Sequence, residues 1–92
     1  MTNEEIVQQI QDGVMVSVNQ ERLWKKNRKF VSYCIKKYIG GCEQQDYEDF
    51  MNEGFIGLVT AAMKYKAESG AKFLTFAAFH IRAALYRYNG LN

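Results

Sequence analysis

Apolar residues recur at three- and four-residue spacings along nearly the whole chain, the period of an α-helix rather than of a strand. Ile6, Val7 and Ile10 give a first helix, near residues 3–12, one apolar side. Thr2 and Glu5 in front of them have the spacing of a capping box, and Gly13 is suited to end the helix. The following VMVSV (14–18) is strand-like in composition. A lone strand has no partner here, so a connector or a helix extension is expected. A second helix is expected near 20–39, with Asn19 as N-cap and Leu23, Phe30, Val31, Cys34, Ile35 and Tyr38 as its inward stripe. Asn27 lies on the same line, and Gly40-Gly41 closes the helix. The third helix, near 46–66, is expected to open at Asp46 and to turn Tyr47, Phe50, Met51, Gly54, Leu58, Ala61, Ala62 and Tyr65 inward. Gly54 costs about 1 kcal/mol against alanine in a helix interior, so a close helix crossing is expected there. The last helix, near 73–88, buries Phe73, Leu74, Ala77, Ile81, Ala84, Leu85 and Tyr88. The pattern predicts an all-α protein: a compact bundle of three to four helices forming one domain over residues 1–92.

Two outward faces are unlike ordinary solvated helix surfaces. On the last helix, Lys72, Thr75, Phe76, Phe79, Arg82, Ala83 and Tyr86 share the side opposite the core, so three aromatics are interleaved with cations. Large exposed rings mark contact surfaces. Single-stranded nucleic acid, with a π-face on every base and a phosphate at every step, is one suitable partner; a second hydrophobic interface against another helix or subunit is the other. On the third helix, Asp49, Asn52, Ile56, Val59 and Met63 form a second partly apolar face flanked by Glu53 and Phe55. A helix with two apolar faces is either central to a bundle or docks a partner.

Charge sharpens the first of these. The net charge is only +2. Yet Lys64–Tyr88 carries five Lys/Arg (Lys64, Lys66, Lys72, Arg82, Arg87) against the single acid Glu68, whereas residues 1–63 carry seven cations against nine acids. A segregated basic end is the footprint that phosphate binding needs. Asp46, Glu48, Asp49 and Glu53 form an acidic run with no cation among them. The second helix's Lys25, Lys26, Arg28 and Lys29 lie mostly off its inward stripe and read as a solvated face.

Composition excludes several classes. The 92 residues include no proline, so only glycines punctuate the helices. No run of 18 apolar residues is present, hence no membrane span, and MTNEEIVQQIQ is not a secretory signal. Cys34 and Cys42 are isolated thiols, with neither metal-site spacing nor a disulfide framework. His80 is the only histidine, and there is no paired carboxylate facing a nucleophile and no glycine-rich phosphate loop. A non-enzymatic cytoplasmic protein with no metal and no cofactor is expected.

The stretch DYEDFMNEGFIGLVTAAMKYKAESGAKFLTFAAFHIRAAL resembles region 2 of bacterial sigma factors, the promoter-recognition subunits of RNA polymerase. Asp49, Glu53, Gly54, Gly57, Leu58, Ala62, Lys64, Tyr65, Gly70, Phe73, Thr75, Phe76, Ala77, Ile81 and Arg82 stand in register with the family pattern. NRKFVSYCIKKY is similar to the family's preceding helix, and the likeness runs from about Leu23 to Tyr88. The resemblance implies that Asp49, Asn52, Glu53, Phe55 and Val59 dock on the β′ clamp helices of core RNA polymerase. It implies that Tyr65, Lys72, Phe73, Thr75, Phe76, Phe79, His80 and Arg82, extended by Tyr86 and Arg87, recognise and melt the minus-ten promoter element and hold its non-template single strand. An anti-sigma factor is a further implied partner.

Primary sigma factors carry two adjacent tryptophans where this chain has Phe79-His80. Ala83 and Tyr86 replace their duplex-reading Gln and Thr, Lys66 an acid of the base pocket, and Ser69 a nearby Arg. The resemblance therefore implies an alternative sigma factor with its own promoter set. The family's helix-turn-helix for the minus-thirty-five element would lie beyond Asn92, implying a cut-out domain or reliance on other contacts. The competing reading is a sigma-like protein-interaction module that binds polymerase or an anti-sigma factor without melting DNA.

Overall fold

The structure is a computed structural model that describes residues 1–90, and it is helical throughout. The elements are α1 (Asn3–Gln11), α2 (Val16–Tyr38), α3 (Gln44–Lys64), a single 3-10 turn (Ala67–Ser69) and α4 (Phe73–Tyr88). Among the described residues there is no strand, and no helix is long and apolar enough to cross a membrane. Helix α1 starts on the expected capping box: the Glu5 amide donates to Thr2 Oγ1 (3.1 Å) and the Thr2 amide to Glu5 Oε1 (2.8 Å). These bonds hold the Glu5 carboxyl below its ordinary value.

Two expected helix starts are corrected. Helix α2 begins at Val16, not near Gln20, and Asn19 is not its cap. Asn19 is fully buried inside the first turn, where its amide donates to Val14 O (2.8 Å) and Gln9 Oε1 (2.9 Å). An amide that finds those partners stabilises the α1–α2 turn from within the helix. The cap position falls on Met15, held at φ 42° in the left-handed region, a strain that persists only where surrounding bonds impose it. The VMVSV stretch is thus part turn and part helix extension. Helix α3 begins at Gln44 with Glu43 as N-cap, so Asp46 lies in the first turn instead. There its carboxylate faces the positive end of the helix dipole.

Helix α3 is central and packs on the other three helices. The core joins Ile6, Val7 and Ile10 of α1, Leu23, Val31 and Ile35 of α2, Leu58, Ala61 and Ala62 of α3, and Phe73, Ala77, Ile81 and Leu85 of α4. Cys34 is buried among them, and burial pushes its thiol up to about 11, as a structural thiol requires. Gly54 does mark a close crossing: an added Cβ would fall onto Val31 Cγ1 of α2. Gly57, one turn on, makes a tighter one. A Cβ there would lie 2.8 Å from both His80 O and Ile81 Cα, so the backbone of α4 rests directly on α3.

Side chains of α1 secure the linker between α3 and α4. Gln11 Nε2 donates to Ala62 O (2.8 Å) and Tyr65 O (2.7 Å) at the end of α3. Glu4 Oε2 accepts from the Phe73 amide (2.8 Å) at the start of α4. The start of α4 has no local side-chain cap of its own. Asn27 Nδ2, buried in α2, donates to Asn3 Oδ1 (2.7 Å) and completes the attachment of α1.

Gly57→Ala should therefore destabilise the fold even though it replaces a helical glycine. The propensity gain is about 1 kcal/mol, and overpacking costs about 1–3 kcal/mol. Backbone atoms cannot rotate away, so the upper end applies. Thermal unfolding should show a drop in Tm of roughly 5–15 °C for a domain of this size. A Tm equal to wild type would mean that α3 and α4 are farther apart than described.

Candidate nucleic-acid interface

Resting the α4 backbone on Gly57 turns a fixed arc of that helix outward. Phe73, Ala77, Ile81, Ala84 and Leu85 face the core. Lys72, Thr75, Phe79, Arg82 and Arg87 are exposed, and Phe76, His80 and Tyr86 are half-buried. Phe79, 62% exposed, is the most open large hydrophobic side chain among the described residues.

Phe76 is held from two sides. Its ring centroid lies 5.8 Å from Tyr65 and 4.9 Å from His80, both tilted. Tyr65 is almost wholly buried; its hydroxyl donates to Ala71 O and its ring meets Phe73 edge-on at 5.5 Å. One face of the expected DNA site is thus a three-ring stack anchored through the linker. Phe73 is corrected: it is 0% exposed and presents no surface to a ligand. Its side chain, like that of Tyr65, supports Phe76 from behind.

The other half of the α4 face is organised around a residue of α2. Tyr38 meets Tyr86 edge-on at 6.1 Å, and Arg82 Cζ lies 5.8 Å from the Tyr38 ring and 5.7 Å from the Phe79 ring. Sequence reasoning assigned Tyr38 to the core and gave no role to Tyr33 or Lys37. The available signal was Tyr33, an aromatic off the inward stripe of α2 and close to cations.

The second candidate face lies on α3. Asn52, Ile56 and Met63 are exposed, while Asp49, Glu53, Phe55 and Val59 are half-buried along the same side. Phe55 is met edge-on by Trp24 of α2 at 5.3 Å, a neighbour the α3 pattern alone did not reveal. Asp49 Oδ2 accepts from the Tyr88 hydroxyl at 3.0 Å. That bond, with Asp49, Asp46 and Glu53 nearby, raises the Tyr88 hydroxyl above its ordinary value, as expected in a field of uncompensated carboxylates. Among the described residues the one ion pair is Lys25–Glu21, so neither the acids of α3 nor the cations of α4 are neutralised internally. No group of His, Cys, Asp and Glu among the described residues is arranged to hold a metal ion.

The description "Sigma-70 region 2" fits residues 23–89, which match that family model. Residues of this chain are 35% identical over 68 positions to the RNA polymerase sigma factor SigA of Microcystis aeruginosa, covering 74% of this chain and 16% of that protein. Over 84 positions they are 32% identical to the RNA polymerase sigma factor RpoD of Helicobacter pylori strain 26695, covering 90% of this chain and 12% of the relative. The SigA protein of Nostoc is 34% identical over 68 positions, 74% of this chain and 17% of that protein. The chain thus spans less than a fifth of the curated relatives it matches. No solved structure matches it. Helix α1, with the two caps it supplies, lies outside residues 23–89, the segment that matches the family model.

His80 gives this face a pH signature. Burial, and next the charge of Lys64, push its imidazole below the ordinary 6.5, so it meets Phe76 as a neutral ring at pH 7. A depressed value means that the unfolded chain takes up the proton more readily. The contribution is fully present above pH 6.5 and is lost as pH falls through the folded value. An NMR titration should give a His80 midpoint below 6.5, and His80→Gln should lose less stability than wild type on acidification from that point. A midpoint at or above 6.5 would contradict this environment.

Proposed function

Since this chain belongs to the sigma-70 region 2 family, we propose that it acts in transcription initiation as one helical domain, docking on core RNA polymerase through α3 and capturing the minus-ten non-template strand on α4. The observation that carries this reading is the outward aromatic–cationic face of α4, set apart from the acidic and apolar face of α3. A flipped base costs a few kcal/mol to extract from a duplex. It is retained only if a new stacking surface meets it. Phe76 offers a ring already fixed by Tyr65 and His80, so little side-chain freedom is lost on binding. Phe79 offers a second, more open ring. Lys72, Arg82 and Arg87 supply phosphate contacts that position the strand without reading it.

Docking follows from the other face. Asp49 and Glu53 beside Asn52, Phe55 and Val59 combine charge with apolar area, which suits a basic, partly apolar helical surface such as the β′ clamp helices. An anti-sigma factor that blocked either face would silence the domain. The substitutions Phe79-His80 for the family's paired tryptophans favour an alternative promoter set.

Three variants separate the two faces. Phe76→Ala should remove about 1–3 kcal/mol of single-strand capture and block opening while sparing duplex binding. Arg82→Ala should weaken binding to every sequence and flatten its salt dependence. Glu53→Lys should weaken core-polymerase binding by on the order of 2 kcal/mol and leave the fold intact. Permanganate footprinting beside duplex- and polymerase-binding assays reads all three. Full promoter opening by Phe76→Ala, or unchanged core binding by Glu53→Lys, would overturn the corresponding half of the reading.

A further inference from the structure

Helix α2 carries an outward stripe that neither the core nor the α4 face uses. Val18, Arg22, Lys25, Lys29 and Lys36 recur at helical spacings on one side of the helix, and each is exposed. The one acid along α2 is Glu21. It pairs with Lys25 at 3.1 Å, with both side chains largely open to water, so the pair is weak. The stripe begins on an apolar tip. Val14, Met15, Val16 and Val18 are all exposed, Met15 by 60%, and a left-handed backbone at φ 42° holds Met15 at the turn. Adjacent large apolar side chains left in water mark a contact surface. The open side of α3 has the opposite make-up. Asp49 and Glu53, with Asp46 and Glu48 beside them, occupy its first half; Ile56 and Met63, both exposed, occupy its second.

The two stripes match in register. Laid antiparallel with Met15 opposite Met63, Lys25 falls opposite Glu53 and Lys29 opposite Asp49. Lys25 and Glu53 each stand ten residues from their methionine, and Lys29 and Asp49 each stand fourteen. At 1.5 Å per residue these are about 15 and 21 Å on either helix. Val18 then falls beside Val59 and Thr60, and Arg22 falls opposite Ile56, which its aliphatic stem can cover. Asp49 accepts from Tyr88 through Oδ2, so Oδ1 is left for a lysine. A nucleic-acid duplex would use the cations of α2 and leave the apolar tip in water. An anionic lipid surface would use both, with no need of the matched spacing. A second copy of this chain uses all three features.

We propose that the free chain self-associates, the outward stripe of α2 in one copy docking antiparallel on the open side of α3 in another. The two faces are different surfaces, so the contact is head-to-tail. It extends into a row of copies unless the rotation closes it into a ring. One helix on one helix is small beside a stable interface, so the Kd is expected on the order of 10–100 µM. The contact stands on charge, exposure and spacing, and does not depend on the polymerase and promoter reading. It does cover Asp49, Glu53 and Val59, so an associated chain keeps the α3 face closed to any other partner.

The test is sedimentation velocity of the full chain at several times that concentration. At low salt the wild type should sediment as species larger than a monomer, and high salt should return it towards monomer. Lys25→Glu with Lys29→Glu should be monomeric, and so should Asp49→Lys with Glu53→Lys. The variant carrying all four reversals keeps the net charge of wild type and should associate again. Met15→Asn suits the left-handed backbone but removes the apolar tip, and should raise the Kd about tenfold. A wild type that stays monomeric overturns the proposal. So does association that survives the lysine reversals, or a folded four-reversal variant that stays monomeric. If circular dichroism shows a reversed variant unfolded, Met15→Asn decides, and an unchanged Kd overturns the proposal. If the lysine reversals weaken binding to duplex DNA or anionic vesicles and leave self-association intact, the stripe is a phosphate surface and the proposal is overturned. If Asp49→Lys with Glu53→Lys loses core polymerase yet self-associates as wild type does, the docking reading stands and the proposal falls.

Discussion

The contact of the α4 backbone with Gly57 of α3 governs the orientation of the functional surfaces. An added Cβ at that position would meet His80 O and Ile81 Cα at 2.8 Å. Helices ordinarily stand 8–10 Å apart, the spacing set by the side chains between them, and at Gly57 there is none. The approach occurs at His80-Ile81, the middle of α4, so it fixes how that helix is rotated. Ile81 must point inward, and Phe76, Phe79, His80 and Arg82 are then carried to the outside or its edge. Gly54 acts similarly one turn earlier, admitting Val31 of α2. With α2 and α4 both drawn close, the remaining side of α3 is left with Asn52, Ile56 and Met63 open to a partner.

Charge is segregated on the same frame. The acids of α3 stand near the C-terminal end of α4, where Tyr88 donates to Asp49, while the unpaired cations of α4 lie along its outer arc. Both partners of this hydrogen bond are open to water, which competes for it, so it orients the carboxylate rather than stabilising the bundle. The linker from Tyr65 to Lys72 joins the two regions, and it is not left free. Gln11 closes its first end and Glu4 its second. A helix outside the segment that matches the family model thereby sets the entry into α4.

Much of this was legible in the sequence, and what was not has a common cause. Periodicity gave the four helices and most of their inward sides, because a stripe at 3.6-residue spacing depends only on local geometry; Tyr88, expected inward, is instead exposed at the last turn of α4, where the bundle ends. The Thr2–Glu5 box and the crossing at Gly54 were equally readable, one from spacing and the other from the cost of an interior glycine. Periodicity shows which side of a helix is covered, not by what. Nothing local announced that Glu4 would cap a helix 69 residues away, or that Asn19 would turn inward rather than cap. Phe73 fitted both the inward stripe and the family's binding positions, and only packing separates the two. Tyr38 looked like core because its stripe was apolar; in the fold it is half-buried at the edge, shared by two cations. Trp24 and Tyr33 belonged to no stripe: Trp24 meets Phe55 on α3, and Tyr33 sits beside Phe30 and Lys37 at the outer edge of α2.

The central claim is that one small bundle carries a nucleic-acid face and a separate protein face. Chemical-shift mapping of the isotope-labelled chain during titration with a single-stranded oligonucleotide tests it most directly. The account predicts shifts over Lys72–Tyr86, with Asp49–Val59 unmoved. Shifts centred on Asp49–Val59, with the α4 face silent, would contradict it.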